Sequence, residues 1–294
     1  MMTASAPARQ EQGYGQGHGQ PLQPAPGSPG HSRMPVWAHA IVMAAAAVAG
    51  LFMVVRYAIH SLRGVRFDER MMYSLGTTPA AWTRILDILG LVTDVSVAVC
   101  LAGCVVVAIL QRRWAVAVSA GVLIAGANIT TQVLKYHVLH SVSPPNTLPS
   151  GHTTVGLSLA LAAVIVASHR WRPLVTAGAA TLATFIGAGT VSAHWHRPGD
   201  VLAAGMVCLG WAAVALAIAG GLQRRTPRGR HPELLATTSL LGVVLAGLAV
   251  VLIGVRPSFG IHDLPLAVVT LGLLGAMFAV VVGWVSIAVD RTVA

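Results

Sequence analysis

The chain has 294 residues, of which 55% are hydrophobic and only 10% are charged, and its mean hydropathy is +0.73. Soluble globular domains carry roughly 25% charged residues, so this composition excludes an ordinary soluble domain and indicates a membrane protein. The formal net charge of +10 comes from arginines grouped beside apolar runs. That grouping indicates membrane topology, and we expect no nucleic-acid partner.

The apolar pattern predicts an all-α polytopic membrane bundle. Residues 1–35 are rich in Gly, Gln, Pro and Ser and cannot bury enough apolar surface to fold, so we expect a disordered cytoplasmic tail. Several of the runs that follow reach about 20 residues, the length that crosses a bilayer. They predict about eight transmembrane helices, at 36–58, 87–110, 115–134, 152–168, 174–194, 200–222, 234–254 and 265–289. The first six form a core over residues 36–222, and residues 223–294 add a basic cytoplasmic loop and two further helices.

Arginines follow every second span, which is the pattern of cytoplasmic loops. Arg112 and Arg113 follow the second span, Arg170 and Arg172 the fourth, and four arginines between 224 and 230 the sixth. We therefore expect a plasma-membrane protein with both termini in the cytoplasm. The loops that then face outside are 59–86, 135–151, 195–199 and 255–264.

Two outer segments carry an unusual density of polar residues. They are "LKYHVLHSVSPPNTLPSGH" at 134–152 and "SAHWHRPGDVLAA" at 192–204. The topology brings nine of their side chains to one membrane face: Lys135, His137, His140, Ser150, His152, His194, His196, Arg197 and Asp200. Lys135 is the only lysine in the chain, although a lysine at a helix end can also simply reach for the membrane surface.

The segment "PSGH" introduces the fourth span. The first turn of a helix has unpaired N–H groups and a partial positive charge, which suit an anion. Ser150 can cap that turn and Gly151 allows a ligand to approach the backbone, while His152 projects from the same turn. A plain helix cap and a solvated histidine at the membrane surface are the alternatives.

The segment "HRPGD" introduces the sixth span. His196 and Asp200 are four residues apart, so the carboxylate can bind one ring nitrogen and leave the other directed outward. A histidine oriented in this way can act as a nucleophile. The alternative is that Asp200 only complements the positive end of the helix dipole.

These segments resemble a known family. Lys135, "PSGH" at 149–152 and "HRPGD" at 196–200 look like the three signature segments of the type 2 phosphatidic acid phosphatase family. Its members are membrane lipid phosphatases related to vanadium haloperoxidases and glucose-6-phosphatase. The resemblance implies a six-helix phosphatase-like core over residues 36–222.

The resemblance also implies roles for the site residues. His196 would attack phosphorus and form a phosphohistidine, with Asp200 orienting it. His152 would protonate the leaving oxygen and then activate water. Phosphoryl oxygens would be held by Lys135, Ser150 and the Gly151 amide. The scheme needs no metal and no cofactor.

This chain departs from the family pattern at both phosphate-binding arginines. Val142 and Ser143 stand where the first signature has Arg-Pro, and Gly189 and Thr190 stand where the third has Ser-Arg. Arg197, directly after His196, is one candidate to replace them. The others are Arg63, Arg66, Arg70 and Arg84 of the first outer loop, and the histidines 137, 140 and 194.

We therefore expect a phosphatase that acts on a lipid phosphate or an isoprenoid pyrophosphate at the outer leaflet. A lipid-binding family member without activity is the alternative that the missing arginines suggest. A transporter is a third possibility, since Asp87 and Asp94 would share one face of the second span, with Asn128 and Gln132 on the third. A zinc site built from the outer histidines and Asp200 is a fourth. Residues 60–84 are expected to include a helix at the membrane surface that covers the site.

Overall fold

In the computed structural model, residues 36–142, 146–222 and 232–292 are described. The predicted tail at 1–35 and the arginines between 224 and 230 lie outside these residues, as does Ser143. The prediction of an all-α bundle is confirmed. Its helices are α1 Val36–Ala58, α2 Leu62–Tyr73, α3 Pro79–Leu89, α4 Asp94–Leu110, α5 Trp114–Val133, α6 Gly151–Val166, α7 Arg172–Ser192, α8 Pro198–Leu222, α9 Pro232–Ile253 and α10 Leu264–Thr292.

The predicted spans correspond to apolar helices of two kinds, some long enough to cross a membrane and some shorter. Among the described residues, six helices are long and apolar enough to cross a membrane: α1, α5, α7, α8, α9 and α10. The other two predicted spans correspond to shorter apolar helices, at Val97–Leu110 within α4 and at Gly151–Val166. An apolar helix of 10–17 residues can still lie inside the bilayer when longer neighbours surround it.

The predicted second span, 87–110, is wrong at its start. The chain forms α3, breaks after Gly90, and begins α4 at Asp94. Glycine is a weak helix former, and Thr93 followed by Asp94 is a typical helix start, so the local sequence favours a break here. Asp87 and Asp94 consequently belong to different helices, which removes the shared face on which the transporter alternative was based.

The loop at 59–86, which was predicted to face outside, contains more structure than the sequence indicated. α2 is amphipathic: it buries Val65, Asp68 and Met71 and exposes Phe67, as expected for a helix that covers one end of a bundle. After α2, strand β1 (Leu75–Thr77) pairs antiparallel with β2 (Val255–Pro257) of the connection between α9 and α10. This short ribbon, which was not predicted, joins two loops that are far apart in sequence.

Small residues allow the helices to pack closely, as in other membrane bundles. α8 lies against α1, α5, α6 and α10, while α7 lies between α6 and α9. A side chain at Gly242 of α9 would collide with the Ala177 carbonyl of α7, and one at Gly205 of α8 with Met277 of α10. The last two helices are therefore packed directly against the helices that carry the polar outer segments.

A buried ion pair lies at the end of the bundle opposite to those segments. Arg172 at the start of α7 is fully buried and donates through Nη1 to Asp290 Oδ1 near the end of α10, at 2.6 Å. His169 Nδ1 lies 2.9 Å from the same oxygen. Arg172 was predicted to lie in a basic loop, but it joins α7 to α10.

Candidate active site

The two polar segments meet at one end of the bundle, where α6 and α8 both begin. Ser150 is the N-cap residue of α6, and its hydroxyl accepts a hydrogen bond from the Thr153 amide at 3.4 Å. The Ser150 amide in turn donates to the Asp200 carbonyl in the first turn of α8, at 3.0 Å. "PSGH" and "HRPGD" are therefore bonded directly to each other.

The carboxylate of Asp200 organises the histidine beside it. Its Oδ2 lies 3.2 Å from His196 Nδ1 and accepts from the Arg197 amide at 3.0 Å and from the Thr147 hydroxyl at 2.6 Å. Asp200 is fully buried, and His196 is only 7% exposed. With Asp200 ionised, Nδ1 carries the proton of a neutral imidazole, so Nε2 has the free lone pair. Nε2 makes no hydrogen bond to any described residue, which leaves it available as a nucleophile.

His152 lies beside this pair in the first turn of α6. Its ring centroid is 5.3 Å from that of Trp195, and it makes no hydrogen bond within the described part of the chain. Lys135 and His196 both lie close enough to His152 for their charges to act on its imidazole. A β-carbon at Gly151 would meet no atom within 4 Å. The space at the β-carbon position of Gly151 is thus not filled by packing.

Lys135 lies beyond the last regular turn of α5. The helix continues as a π-helical turn, Leu134–Val138, of the kind that is frequent at functional sites. The Lys135 carbonyl accepts from Asn146 Nδ2 at 3.2 Å, and the same amide donates to the Leu139 carbonyl at 3.0 Å. Asn146 thus holds the segment that leads to "PSGH" against the end of α5.

Arg197 is the best placed of the arginines proposed to replace the missing pair. It is 7% exposed, and its Nη1 lies 3.8 Å from Glu69 Oε1 of α2. By contrast, the four other candidate arginines, Arg63, Arg66, Arg70 and Arg84 of α2 and α3, are exposed. At one of the positions where the family has arginine, Thr190 is buried and bonds to the Gly187 carbonyl of its own helix.

The remaining histidines differ in their surroundings. His137 and His140 are exposed. His194 has a positive φ of 58° and its Nε2 lies 2.8 Å from the Leu75 carbonyl, so it joins the end of α7 to β1. Across residues 36–142, 146–222 and 232–292, no group of three or more His, Cys, Asp or Glu side chains is arranged to hold a metal ion.

Four residues of this region were not identified from the sequence: Asp68, Glu69, Asn146 and Thr147. Asp68 lies on α2, is 4% exposed, and accepts through Oδ1 from the Gly199 amide at 2.9 Å. Burial is the largest cause that raises the pKa of Asp68 from 3.8 to about 7; Asp200 and Glu69 add to the rise, whereas the Gly199 bond and Arg197 oppose it. An amphipathic pattern over 62–73 was the available signal, but it does not say what Asp68 contacts.

Comparison with known proteins agrees with the signature segments. The model of the PAP2 superfamily matches residues 134–224, a range that includes Lys135, "PSGH" and "HRPGD". No curated protein and no solved structure matches the chain. The matched range is therefore similar to a superfamily whose members are phosphatases and related phosphoesterases.

Proposed function

We propose that the protein is a phosphatase for a lipid phosphate or an isoprenoid pyrophosphate, on the basis of the match between residues 134–224 and the PAP2 superfamily. The observation that carries the proposal is the His196–Asp200 contact, with a free Nε2 beside the open first turn of α6. Such a pair suits in-line attack on a phosphoryl group, in which catalysis depends mainly on positioning and on stabilisation of charge.

The proposed reaction has two steps. His196 Nε2 attacks phosphorus, the bond to the leaving oxygen breaks, and His152 gives that oxygen a proton. The leaving group is a lipid alcohol or, from a pyrophosphate, a lipid monophosphate. Water then attacks the phosphohistidine while His152 takes its proton, and inorganic phosphate leaves from a regenerated His196. The Gly151 amide, Ser150, Lys135 and Arg197 hold the phosphoryl oxygens.

Apolar cavities that follow α6 from near the site towards the opposite end of the bundle support a lipid substrate. A cavity of about 640 Å³ lies between α4, α6 and α7, lined by residues such as Cys104, Ala163 and Val175. A second cavity of about 210 Å³ shares Leu159 with it and reaches Val155, one turn along α6 from His152. Val155 to Val166 is about 16 Å at 1.5 Å per residue, close to the roughly 15 Å depth of one leaflet. The two cavities together therefore have the length and the chemistry to hold one lipid chain.

The charge distribution supports an outward-facing site in the plasma membrane. Arg112 follows the end of α4, and Arg170 lies in the connection between α6 and α7. Both are at the end of the bundle opposite to His196. Cytoplasmic ends carry the excess of arginine, so the end with His196 is proposed to face the outside.

The test is phosphate release by the purified protein in detergent, without added metal, from dioctanoyl phosphatidic acid and from farnesyl pyrophosphate. We expect turnover that His196→Ala reduces at least about 10³-fold, since removal of a nucleophile leaves only residual catalysis. His262→Ala, which changes an exposed histidine of the last outer loop, is the matched control and should keep full activity. Wild-type turnover no higher than that of His196→Ala on either substrate would instead favour a lipid-binding protein without activity.

Arg197→Ala and Arg197→Lys extend the same experiment. A bidentate arginine holds a phosphoryl group in a way that lysine does not reproduce, so both variants should lose activity, and Lys should restore little of it. Activity of Arg197→Ala equal to that of the wild type would exclude Arg197 as the replacement for the missing arginines.

A further inference from the structure

α2 places two consecutive acidic residues against the segment that carries His196. Asp68 Oδ1 accepts from the Gly199 amide at 2.9 Å, and Glu69 Oε1 lies 3.8 Å from Arg197 Nη1. Gly199 lies between Arg197 and Asp200 in the chain. The first turn of α8 is therefore held from outside its own helix, by a surface helix some 130 residues earlier in the sequence.

The contact between Asp68 and Gly199 is close. A β-carbon at Gly199 would lie 2.6 Å from Asp68 Oδ2 and 2.8 Å from the β-carbon of Ala58 in α1. Asp68 Oδ2 is buried and has no hydrogen-bond partner among the described residues. A buried carboxyl oxygen without a hydrogen-bond partner lowers the stability of the fold. Stability therefore does not explain why an acidic residue stands here, and a role in the site does.

The charges that face Asp68 belong to the site itself. They are Asp200 on α8 and Arg197 before α8, together with Glu69 on its own helix. A change in the proton on Asp68 therefore alters both the bond to the Gly199 amide and the field beside the His196–Asp200 pair. A carboxylate accepts more strongly than the neutral acid, so the ionised form holds the turn more firmly.

We propose that Asp68 is a positioning residue of this site: its carboxylate holds the first turn of α8, and through it His196, Asp200 and Arg197, in the arrangement required for turnover. The role rests on the proposed function, because it is defined by the reaction of His196. α2 thereby becomes part of the active site, although none of the three signature segments includes it.

The first test is the pH dependence of kcat/KM for dioctanoyl phosphatidic acid, compared between the wild type and Asp68→Asn. Asparagine keeps an acceptor oxygen for Gly199 but never ionises. We expect kcat/KM to be similar in the two proteins at pH 5.5 and about tenfold higher in the wild type at pH 8. The reason is that Asp68, with a pKa of about 7, is protonated at the lower pH and ionised at the higher one. A ratio that does not change with pH would overturn the proposal and leave a structural role.

The matched control is Asp263→Asn. Asp263 is an acidic residue of the last outer loop, and its Oδ2 also accepts a hydrogen bond from a backbone amide, that of Phe259 at 3.2 Å. Unlike Asp68, it has no hydrogen bond to α8 among the described residues. Its substitution should leave kcat/KM unchanged at both pH values. Asp68→Ala, which removes the acceptor altogether, should reduce kcat/KM on the order of 10²-fold, the cost of a displacement of about 1 Å in a reacting group.

A second measurement does not depend on activity. Hydrogen exchange at the Gly199 amide should be about tenfold faster in Asp68→Ala than in the wild type and unchanged in Asp263→Asn. If the wild type shows no His196-dependent turnover, the proposed function is wrong, and unchanged exchange at Gly199 would refute the contact as well. If turnover depends on His196 but the activity ratio is independent of pH, the function stands and the role of Asp68 is refuted.

Discussion

Gly151→Ala tests where the phosphoryl group binds without destabilising the fold. Gly151 is the first residue of α6, and a β-carbon there would meet no atom within 4 Å. The substitution should therefore leave the melting temperature unchanged or slightly higher, since alanine is favoured over glycine in helices by roughly 0.5–1 kcal/mol. The same methyl group would occupy the space where a phosphoryl oxygen approaches the amide. A displacement of about 1 Å there costs on the order of 10²-fold in kcat/KM, or about 2.7 kcal/mol of transition-state stabilisation.

The assay pairs phosphate release with thermal unfolding in the same detergent. Gly221→Ala is the matched control, because Gly221 is also a helical glycine where an added β-carbon would meet no atom within 4 Å. Gly221 lies near the C-terminal end of α8, whereas the site lies at the N-terminal end of that helix. Both variants should be at least as stable as the wild type, and only Gly151→Ala should lose activity. Full activity in Gly151→Ala would refute the placement of the phosphoryl group at this turn. Equal losses of activity in both variants would show a general effect on the helices.

Three further predictions concern other contacts. Arg172→Met removes the 2.6 Å ion pair between the buried residues Arg172 and Asp290 and should cost about 3–5 kcal/mol, or about 10 °C in melting temperature at 2–4 °C per kcal/mol. The substitution Arg170→Met, at the exposed neighbour, should cost under about 1 kcal/mol, and equal shifts would contradict the pairing. Thr147→Val removes a 2.6 Å hydrogen bond to the site carboxylate and should lower kcat/KM about tenfold, equivalent to about 1.4 kcal/mol, with unchanged activity arguing against that bond. Because the pKa of Asp68 rises from 3.8 to about 7, the folded state holds this proton more tightly than the unfolded state. The stability of the wild type relative to Asp68→Asn should therefore fall by at most about 4 kcal/mol as the pH rises from 4 to 7, and denaturant unfolding that shows no such trend would refute the shift.

The helical bundle could be predicted because the bilayer restricts the possible structures. Backbone groups inside the membrane must bond within their own segment, so long apolar runs become helices. α1, α8 and α9 lie within two residues of their predicted starts. The break between α3 and α4 was missed because hydropathy alone does not detect it, and Gly90 with Thr93 is only a local signal.

The chemistry of the site could be predicted in part, because some of its contacts are local. His196 and Asp200 are four residues apart, and the first turn of α8 brings them together whatever surrounds it. Ser150 caps α6 for a similar local reason. Lys135 was identified by its rarity, but its place in a π-helical turn was not foreseen.

The sequence by itself determined the helical class of the bundle, the apolar chemistry of its helices and the pair formed by His196 and Asp200, because these depend on hydropathy and on neighbours within one helical turn. Only the tertiary structure decided that Thr147 and Asp68 reach α8 and that Arg172 is buried against Asp290. Those contacts join residues 53, 131 and 118 positions apart. No local pattern encodes such separations, since they follow from how the helices pack and from which end each connection leaves the bundle.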